Sequence, residues 1–400
     1  MWRTTVIAIT GSVGKTTAKE CLAAILSTRG RTVSTRNNQN CGHGVPRTIR
    51  RMRPWHRYAV IEVGTERPGQ IHRSARLLKP HVAVVLAVAR THTNEFPTLE
   101  DTAIEKASLL DHVAAGGTAI LNGDDARVRA MAERVRGSVV MFGRAGDCDL
   151  VADEVRATWP ERLHFTVRDG SDPVPVRTQL VGAHWLSSVL AALAAARACD
   201  VSLRAAADVL ADVAPFAARM QPVALPSGAV VIRDEGNGSR DTIDAMLEVM
   251  RNARAGRRIL VFGDQSDGKG NPKQRLRGIG KIAAEFADVV VFVGDHAHHG
   301  VYGAVAAGMD PACCHDVLGV ERAAELLRRE LRAGDLVFLK GRAVEHLSRI
   351  VFAQFGSIGC WKTSCKRRPV CDVCAELRPD FDLQRALAAG PASELKPRRD

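Results

Sequence analysis

The chain has 400 residues, 46 % of them apolar, with 56 Lys and Arg against 44 Asp and Glu. At about 150 residues per domain the length predicts two to three domains, and so much apolar content excludes a disordered chain or a disulfide-stapled miniature fold. The longest apolar run, residues 82–89, is far below the ~18 residues that span a bilayer, and the first residues lack a signal peptide's apolar core. The expectation is a cytoplasmic protein with no membrane partner.

The net charge of +12 is spread along the chain as well as gathered in its tail, so nucleic acid is not the expected partner. Six of the ten cysteines are scattered, whereas Cys360, Cys365, Cys371 and Cys374 form one tight group. In a reducing compartment such a group reads as metal ligands before disulfides.

In chain order, the β-branched run Thr4–Thr10 stops at the loop Gly11-Ser12-Val13-Gly14-Lys15-Thr16-Thr17, and Ala18–Ser27 has helical composition. That is strand, glycine loop, helix. Buried-strand candidates follow at Tyr58–Val63, His81–Val88 and Gly117–Leu121, the alternation of a parallel sheet covered by helices. A helix is predicted over Leu180–Ala198, then a domain boundary near Pro222 and Pro226. The second unit alternates again, with strands at Ala229–Asp234, Arg258–Gly263, Val289–Val293 and Asp335–Lys340. Helices are predicted between them at Thr242–Asn252, Lys281–Phe286 and Val320–Leu331, with a last one near Ala343–Phe355. The fold class is therefore α/β: a P-loop ATPase domain with a mostly parallel sheet (1–222), a smaller doubly wound, Rossmann-like domain (223–357), a short four-cysteine element (358–377) and a disordered tail (378–400).

The loop from Gly11 to Thr17 carries the strongest chemistry. Glycines let backbone N–H groups close around phosphates at a helix N-terminus, Lys15 reaches the outer phosphates and Thr16 can ligate Mg²⁺. The full G-x-x-x-x-G-K-[ST] pattern is not met, because Ile9 stands where its first glycine would fall. Glu62, at a predicted strand end, offers the hard oxygen that Mg²⁺ prefers. Arginines outnumber lysines about four to one, yet position 106 holds the only lysine between Lys79 and Lys269. A lysine there keeps an amine that can lose its proton, which a guanidinium cannot do.

The stretch Thr10–Thr17 resembles the shortened phosphate loop of the Mur ligases, ATP-dependent amide-bond-forming enzymes. Asn37-Asn38-Gln39-Asn40-Cys41-Gly42-His43-Gly44-Val45-Pro46, Ile61-Glu62-Val63-Gly64 and Leu121-Asn122-Gly123-Asp124-Asp125 are similar to segments of the branch that adds D-alanyl-D-alanine. So are Val261-Phe262-Gly263-Asp264 and the run from Gly334 to Gly341. The resemblance implies an enzyme that forms an acyl phosphate on a carboxylate acceptor, which the amine of an amino acid or peptide then attacks. It implies ATP and two Mg²⁺ ions, one on Thr16 and Glu62, the other on His92 and a carbamoylated Lys106. It also implies that Arg219, Asp234 and Asn237 contact the nucleotide. The segment Gly182–Ala192 is similar to the family's Gly-x-His-Asn helix, with Trp185 and Ser188 where asparagines are expected.

Two features depart from the family. Only ten residues precede Gly11, so the UDP-sugar grip is expected from a partner protein or the acceptor is different. The four cysteines, with one C-x-x-C, predict a tetrahedral Zn²⁺ site. An alternative of another class is an ATP-binding scaffold or regulatory subunit whose cysteine knuckle holds a protein or nucleic acid. Asp295-His296-Ala297-His298-His299 reads as a loop in place of a metal site.

Overall fold

The computed structural model describes residues 4–36, 39–90, 95–264, 271–362, 365 and 371–388. The chain divides into two compact units, one made mainly of residues 1–157 and 183–214, the other mainly of 215–400.

The first unit runs β1 (Thr5–Thr10), α1 (Lys15–Ser27), β2 (Thr32–Ser34), α2 (Gly44–Arg51), β3 (Tyr58–Glu62), α3 (Gln70–Leu78), β4 (Val82–Val85), α4 (Leu99–Ala107), β5 (Thr118–Asn122), α5 (Ala126–Ala130) and β6 (Ser138–Gly143). Then come β7 (Leu150–Arg156), β8 (His164–Arg168), β9 (Val174–Arg177), α6 (Leu186–Arg197) and α7 (Leu203–Ala211). These strands form one nine-stranded sheet in the order β2-β3-β1-β4-β5-β6-β7-β8-β9. The pairings from β2 to β7 are parallel, and β7, β8 and β9 pair antiparallel. The central strands are near-continuous Val, Ile and Ala because helices cover both faces. Val6, Ala8, Ala59, Ile61, Ala83 and Val85 build one core layer. The outer strands instead alternate buried and open residues, as in Val174-Pro175-Val176-Arg177. That half-buried pattern, with turns of polar residues, is why composition alone read no strand between residues 122 and 180.

The second unit comprises β10 (Gln221–Ala224), β11 (Val230–Asp234), α8 (Arg240–Asn252), β12 (Arg257–Gly263), α9 (Pro272–Ala283), β13 (Val289–Val293), α10 (Ala297–Ala306) and β14 (Cys314–Val317). It ends with α11 (Val320–Glu330), β15 (Asp335–Lys340), α12 (Ser348–Phe352) and α13 (Leu383–Ala388). Its six-stranded sheet has the order β10-β11-β15-β12-β13-β14 and is parallel apart from the β10–β11 edge. The helix expected at Lys281–Phe286 begins earlier, at Pro272, where the Asn271 side chain accepts from Lys273 N–H and proline fills the first turn.

Two expectations are corrected here. The histidine stretch read as a loop enters α10 at Ala297, and His299 is buried in that helix. The tail expected to be disordered from residue 378 carries α13, whose Leu383 is buried in the second unit's core beside Cys371 and Leu377. Apolar residues too sparse to make a core of their own are completed by a neighbour's.

Candidate active site

Sheet register sets the site in the first unit. Ile9 lies level with Glu62 on β3 and with Val84 on β4, so the loop after β1 and the carboxylate ending β3 emerge from the same, carboxyl edge of the sheet. Gly14 enters α1 at φ +81°, in the left-handed region where glycine is favoured. A Cβ there would come within 2.5 Å of Ser188 Oγ. That serine, on α6, donates to the Gly14 carbonyl at 3.2 Å. Ser12 anchors the other side: its N–H donates to the Ala87 carbonyl at 2.8 Å, and its Oγ bridges the carbonyl and N–H of Ala89 at 3.0 and 2.9 Å. Lys15 Nζ donates to the carbonyls of Gly11 and Ser12 at 2.6 and 3.2 Å, which places the ammonium at the loop. The α1 N-terminus has no acidic residue in its first turn, so the helix dipole there favours an anion.

Thr16 Oγ1 donates to both carboxylate oxygens of Glu62, at 3.2 and 3.1 Å. Glu62 is 1 % exposed and also accepts from Asn40 Nδ2 at 2.6 Å. Asn40 in turn accepts from the Cys41 thiol at 3.0 Å. Sequence reasoning gave no site role to Asn40 or to Ser188. Asn40 stands in the asparagine-rich stretch before Gly44-Val45-Pro46, the one signal that could have marked it, and Ser188 stands in the Gly182–Ala192 segment at a position where the similar family helix carries an asparagine.

Lys106 comes from α4, a helix started by a reciprocal cap in which Thr98 Oγ1 accepts from Asp101 N–H and Asp101 accepts from Thr98 N–H. The lysine is 3 % exposed. Burial, with Lys15 nearby, brings its pKa down to about 7. The neighbouring Glu105 is spent elsewhere: its two oxygens accept from Gly69 and Ile71 N–H, at 2.7 and 2.9 Å, at the start of α3. Burial pushes the Cys41 thiol up to about 11, and its charged neighbours are Glu66, Lys15, Glu62 and Lys106. Those residues therefore surround one spot. His92 lies outside the described residues. Trp185 is buried, its ring 4.4 Å from that of His184.

In the second unit, Asp234 ends β11 and Lys340 ends β15, which pair level with each other. The two buried side chains form an ion pair, and Asp234 also accepts from Met220 N–H at 3.2 Å. Burial raises the Asp234 pKa and lowers that of Lys340, and Arg219 is a charged neighbour of both. Asn237 is half-buried and accepts from Ser239 N–H at 3.0 Å. Asp234, Lys340 and Arg219 are thus gathered, with Asn237 closing the turn that follows.

Cys360 and Cys371 are buried, Cys365 and Cys374 are half-exposed, and among the described residues none of the four is in a disulfide. Cys371 Sγ lies 3.4 Å from His346 Nδ1. Among the described residues, no three of His, Cys, Asp and Glu converge to hold a metal ion, so the described thiols do not make the tetrahedral set that Zn²⁺ requires. What fastens the segment is an ion network: Asp372 accepts from Arg233 Nη1 and Nη2 at 2.8 and 2.9 Å.

Residues 9–196 match the Mur ligase middle domain, and residues 218–343 match the Mur ligase glutamate ligase domain. The UDP-N-acetylmuramoyl-tripeptide--D-alanyl-D-alanine ligase of Mycobacterium bovis is 30 % identical over 377 residues, spanning 89 % of this chain and 74 % of the relative. The enzyme of the same name from Escherichia coli is 32 % identical over 297 residues, 73 % of this chain and 65 % of the relative. A crystal structure of MurF from Acinetobacter baumannii superposes with a TM-score of 0.81 at 26 % identity, covering 88 % of this chain and 77 % of that one. Two domain matches in sequence order, this relative at 30 % identity along most of its length and a phosphate loop facing a strand-end glutamate agree: the chain belongs to the Mur ligase family of ATP-dependent amide-bond-forming ligases.

Proposed function

We propose that the chain carries the activity its relatives are named for, joining D-alanyl-D-alanine through its amine to a carboxylate of a UDP-N-acetylmuramoyl-tripeptide at the expense of ATP. The observation that carries this reading is the bond between Thr16 and Glu62, 46 residues apart, at the mouth of the glycine loop. Bound ATP with Mg²⁺ supplies the phosphoryl group that activates the carboxylate. The chain's own residues then have these roles in the proposal. The backbone from Gly11 through Ser12, Val13 and Gly14 to Thr17, with Lys15, holds the phosphates and offsets their charge. Thr16 and Glu62 supply hard oxygens for one Mg²⁺, and Asn40 fixes the Glu62 rotamer. Arg219, Asp234 and Asn237 serve nucleotide binding from the second unit.

For the second Mg²⁺ the proposal takes His92 and a carbamoylated Lys106. A buried lysine with a pKa of about 7 is neutral in about half of the molecules at neutral pH, so its lone pair is free to attack CO₂. One N–C bond forms, the proton leaves to water, and the product is an anionic oxygen ligand. The domain division remains part of the proposal, with the first boundary drawn at 214/215, ahead of β10. Zinc on Cys360, Cys365, Cys371 and Cys374 would need the four thiols drawn together, so no step is routed through it.

The test is turnover of purified protein with ATP, Mg²⁺, D-alanyl-D-alanine and the UDP-N-acetylmuramoyl-tripeptide, followed by ADP release and product mass. Adding hydroxylamine in place of the dipeptide should trap the activated acid as a hydroxamate. ADP release that neither acceptor nor amine stimulates would overturn the reading.

A further inference from the structure

Between Cys21 and Ile61 the chain has eight arginines and no Asp or Glu, although acids make up 44 of its 400 residues. Separated in sequence, these arginines come together on the outer edge of the first unit's sheet. Arg29 and Arg31 flank the turn into β2, the end strand. Arg36 follows β2, Arg47, Arg50 and Arg51 lie on α2, and Arg53 and Arg57 precede β3. Backbone contacts lock the pieces together. Arg57 N–H donates to the Arg31 carbonyl at 2.8 Å and Arg57 Nη1 to that of Arg29 at 3.1 Å. Arg51 Nη1 donates to Ser34 at 3.1 Å and Arg53 Nη1 to Arg50 at 2.7 Å, both through carbonyls.

Arg51 is half-buried and the other seven are exposed. Among the described residues none of the eight forms an ion pair with a carboxylate. Their positive field reaches His56, whose pKa is lowered by burial and then by Arg53, Arg31 and Arg51. In the middle of this face stands Trp55, 58 % exposed. A fold accepts uncompensated like charges of this density at a cost in stability, which a polyanionic partner would offset.

We propose that this face binds single-stranded nucleic acid, its guanidinium groups on successive phosphates and Trp55 stacked on a base. Guanidinium forks match phosphate oxygens two at a time, and an exposed indole among cations is the stacking platform such sites use. Along β3, five residues long, the strip extends about 16 Å, room for a few nucleotides. A lipid surface fits less well, because Val45 and Thr48 of α2 are buried in the unit and leave that helix no apolar face for a bilayer. Trp55 and Arg57 sit at the amino edge of β3, the end opposite Glu62, whereas Arg36, two residues beyond the Ser34–Val60 pair, lies toward the carboxyl edge.

Fluorescence anisotropy of labelled oligo(dT) and oligo(U) with the full chain tests this. Binding should weaken at least ~10-fold between about 50 and 200 mM salt. The triple substitution Arg47→Glu, Arg50→Glu, Arg53→Glu should reduce affinity at least ~10-fold while thermal midpoint and ATP turnover stay unchanged. Trp55→Ala should weaken binding several-fold and remove the oligonucleotide-dependent quenching of tryptophan emission. No binding at low salt, or equal binding by the triple variant, overturns the proposal. So does tighter binding of a poly-glutamate peptide or of phosphatidylserine vesicles than of either oligonucleotide. Equal affinity for a duplex would overturn the stacking role of Trp55.

Discussion

Arg233 and Asp372, 139 residues apart, meet through two parallel hydrogen bonds of 2.8 and 2.9 Å inside the second unit. Arg233 is fully buried, also bonds Glu235 and Gln221, and rests its guanidinium on the Phe352 ring at 5.0 Å. Glu235 belongs to the turn that follows Asp234, so the cysteine-rich segment is tied to the same turn as the candidate nucleotide residues. Removing Arg233 strands two buried carboxylates, Asp372 and Glu235, and breaking such a buried pair typically costs ~3–5 kcal/mol. Arg233→Met should lower the denaturant midpoint accordingly, whereas Asp372→Ala, which leaves Arg233 paired with Glu235, should cost less. The triple variant Arg233→Met, Glu235→Gln, Asp372→Asn should recover part of the Arg233→Met loss, and additive losses would show the groups to be uncoupled.

Glu62→Gln keeps the shape of the side chain and removes the charge. It should leave the fold intact and lower turnover at least ~100-fold, with a steeper Mg²⁺ requirement, because the neutral amide is a poor ligand for a hard cation. Asn40→Ala should act more mildly, raising the Mg²⁺ concentration for half-maximal rate. Turnover of Glu62→Gln equal to that of the parent at saturating Mg²⁺ removes Glu62 from the metal site.

Lys106 links stability to pH. Its unfolded pKa is the ordinary 10.5 and its folded one about 7, so between those values the unfolded chain binds more protons and stability rises with pH. In CO₂-free buffer the unfolding free energy should therefore climb from about pH 7 toward 10. Lys106→Met should flatten the climb and stabilise the protein at pH 7 by a few kcal/mol. Bicarbonate at pH 8 should stabilise the parent but not this variant, and ¹³CO₂ should give a carbamate resonance only in the parent. A Lys106→Met profile identical to the parent's would show that the buried amine does not control the curve.

Gly14, like Gly11 before it, is a loop position at which both φ and space demand glycine. Gly14→Ala forces a side chain into the left-handed region, at ~1–2 kcal/mol, and into Ser188 Oγ at 2.5 Å. Weaker ATP binding by at least ~10-fold is expected in a titration calorimeter. Adding Ser188→Ala should relieve the clash without relieving the backbone cost. Full recovery in the double variant would mean that φ matters little there.

Much of the fold is legible in the sequence because it is local. β-Branched runs broken by glycine define strands and loops within a few residues, and the glycine loop carries its own backbone geometry and a lysine in one short stretch. The repeated strand–helix alternation implied parallel sheets. Relations across the chain were not local and needed tertiary structure. Only the sheet register sets Thr16 against Glu62, and only burial turns Lys106 from a surface cation into an amine with a pKa of about 7. Antiparallel β7, β8 and β9 escaped notice because their half-buried pattern is weak. The tail's α13 escaped because its core contacts come from residues far away. Charge shows the same division: its total follows from composition alone, whereas the convergence of eight arginines on one edge depends on how β2, α2 and β3 pack, since electrostatics acts through distance in space and not along the sequence.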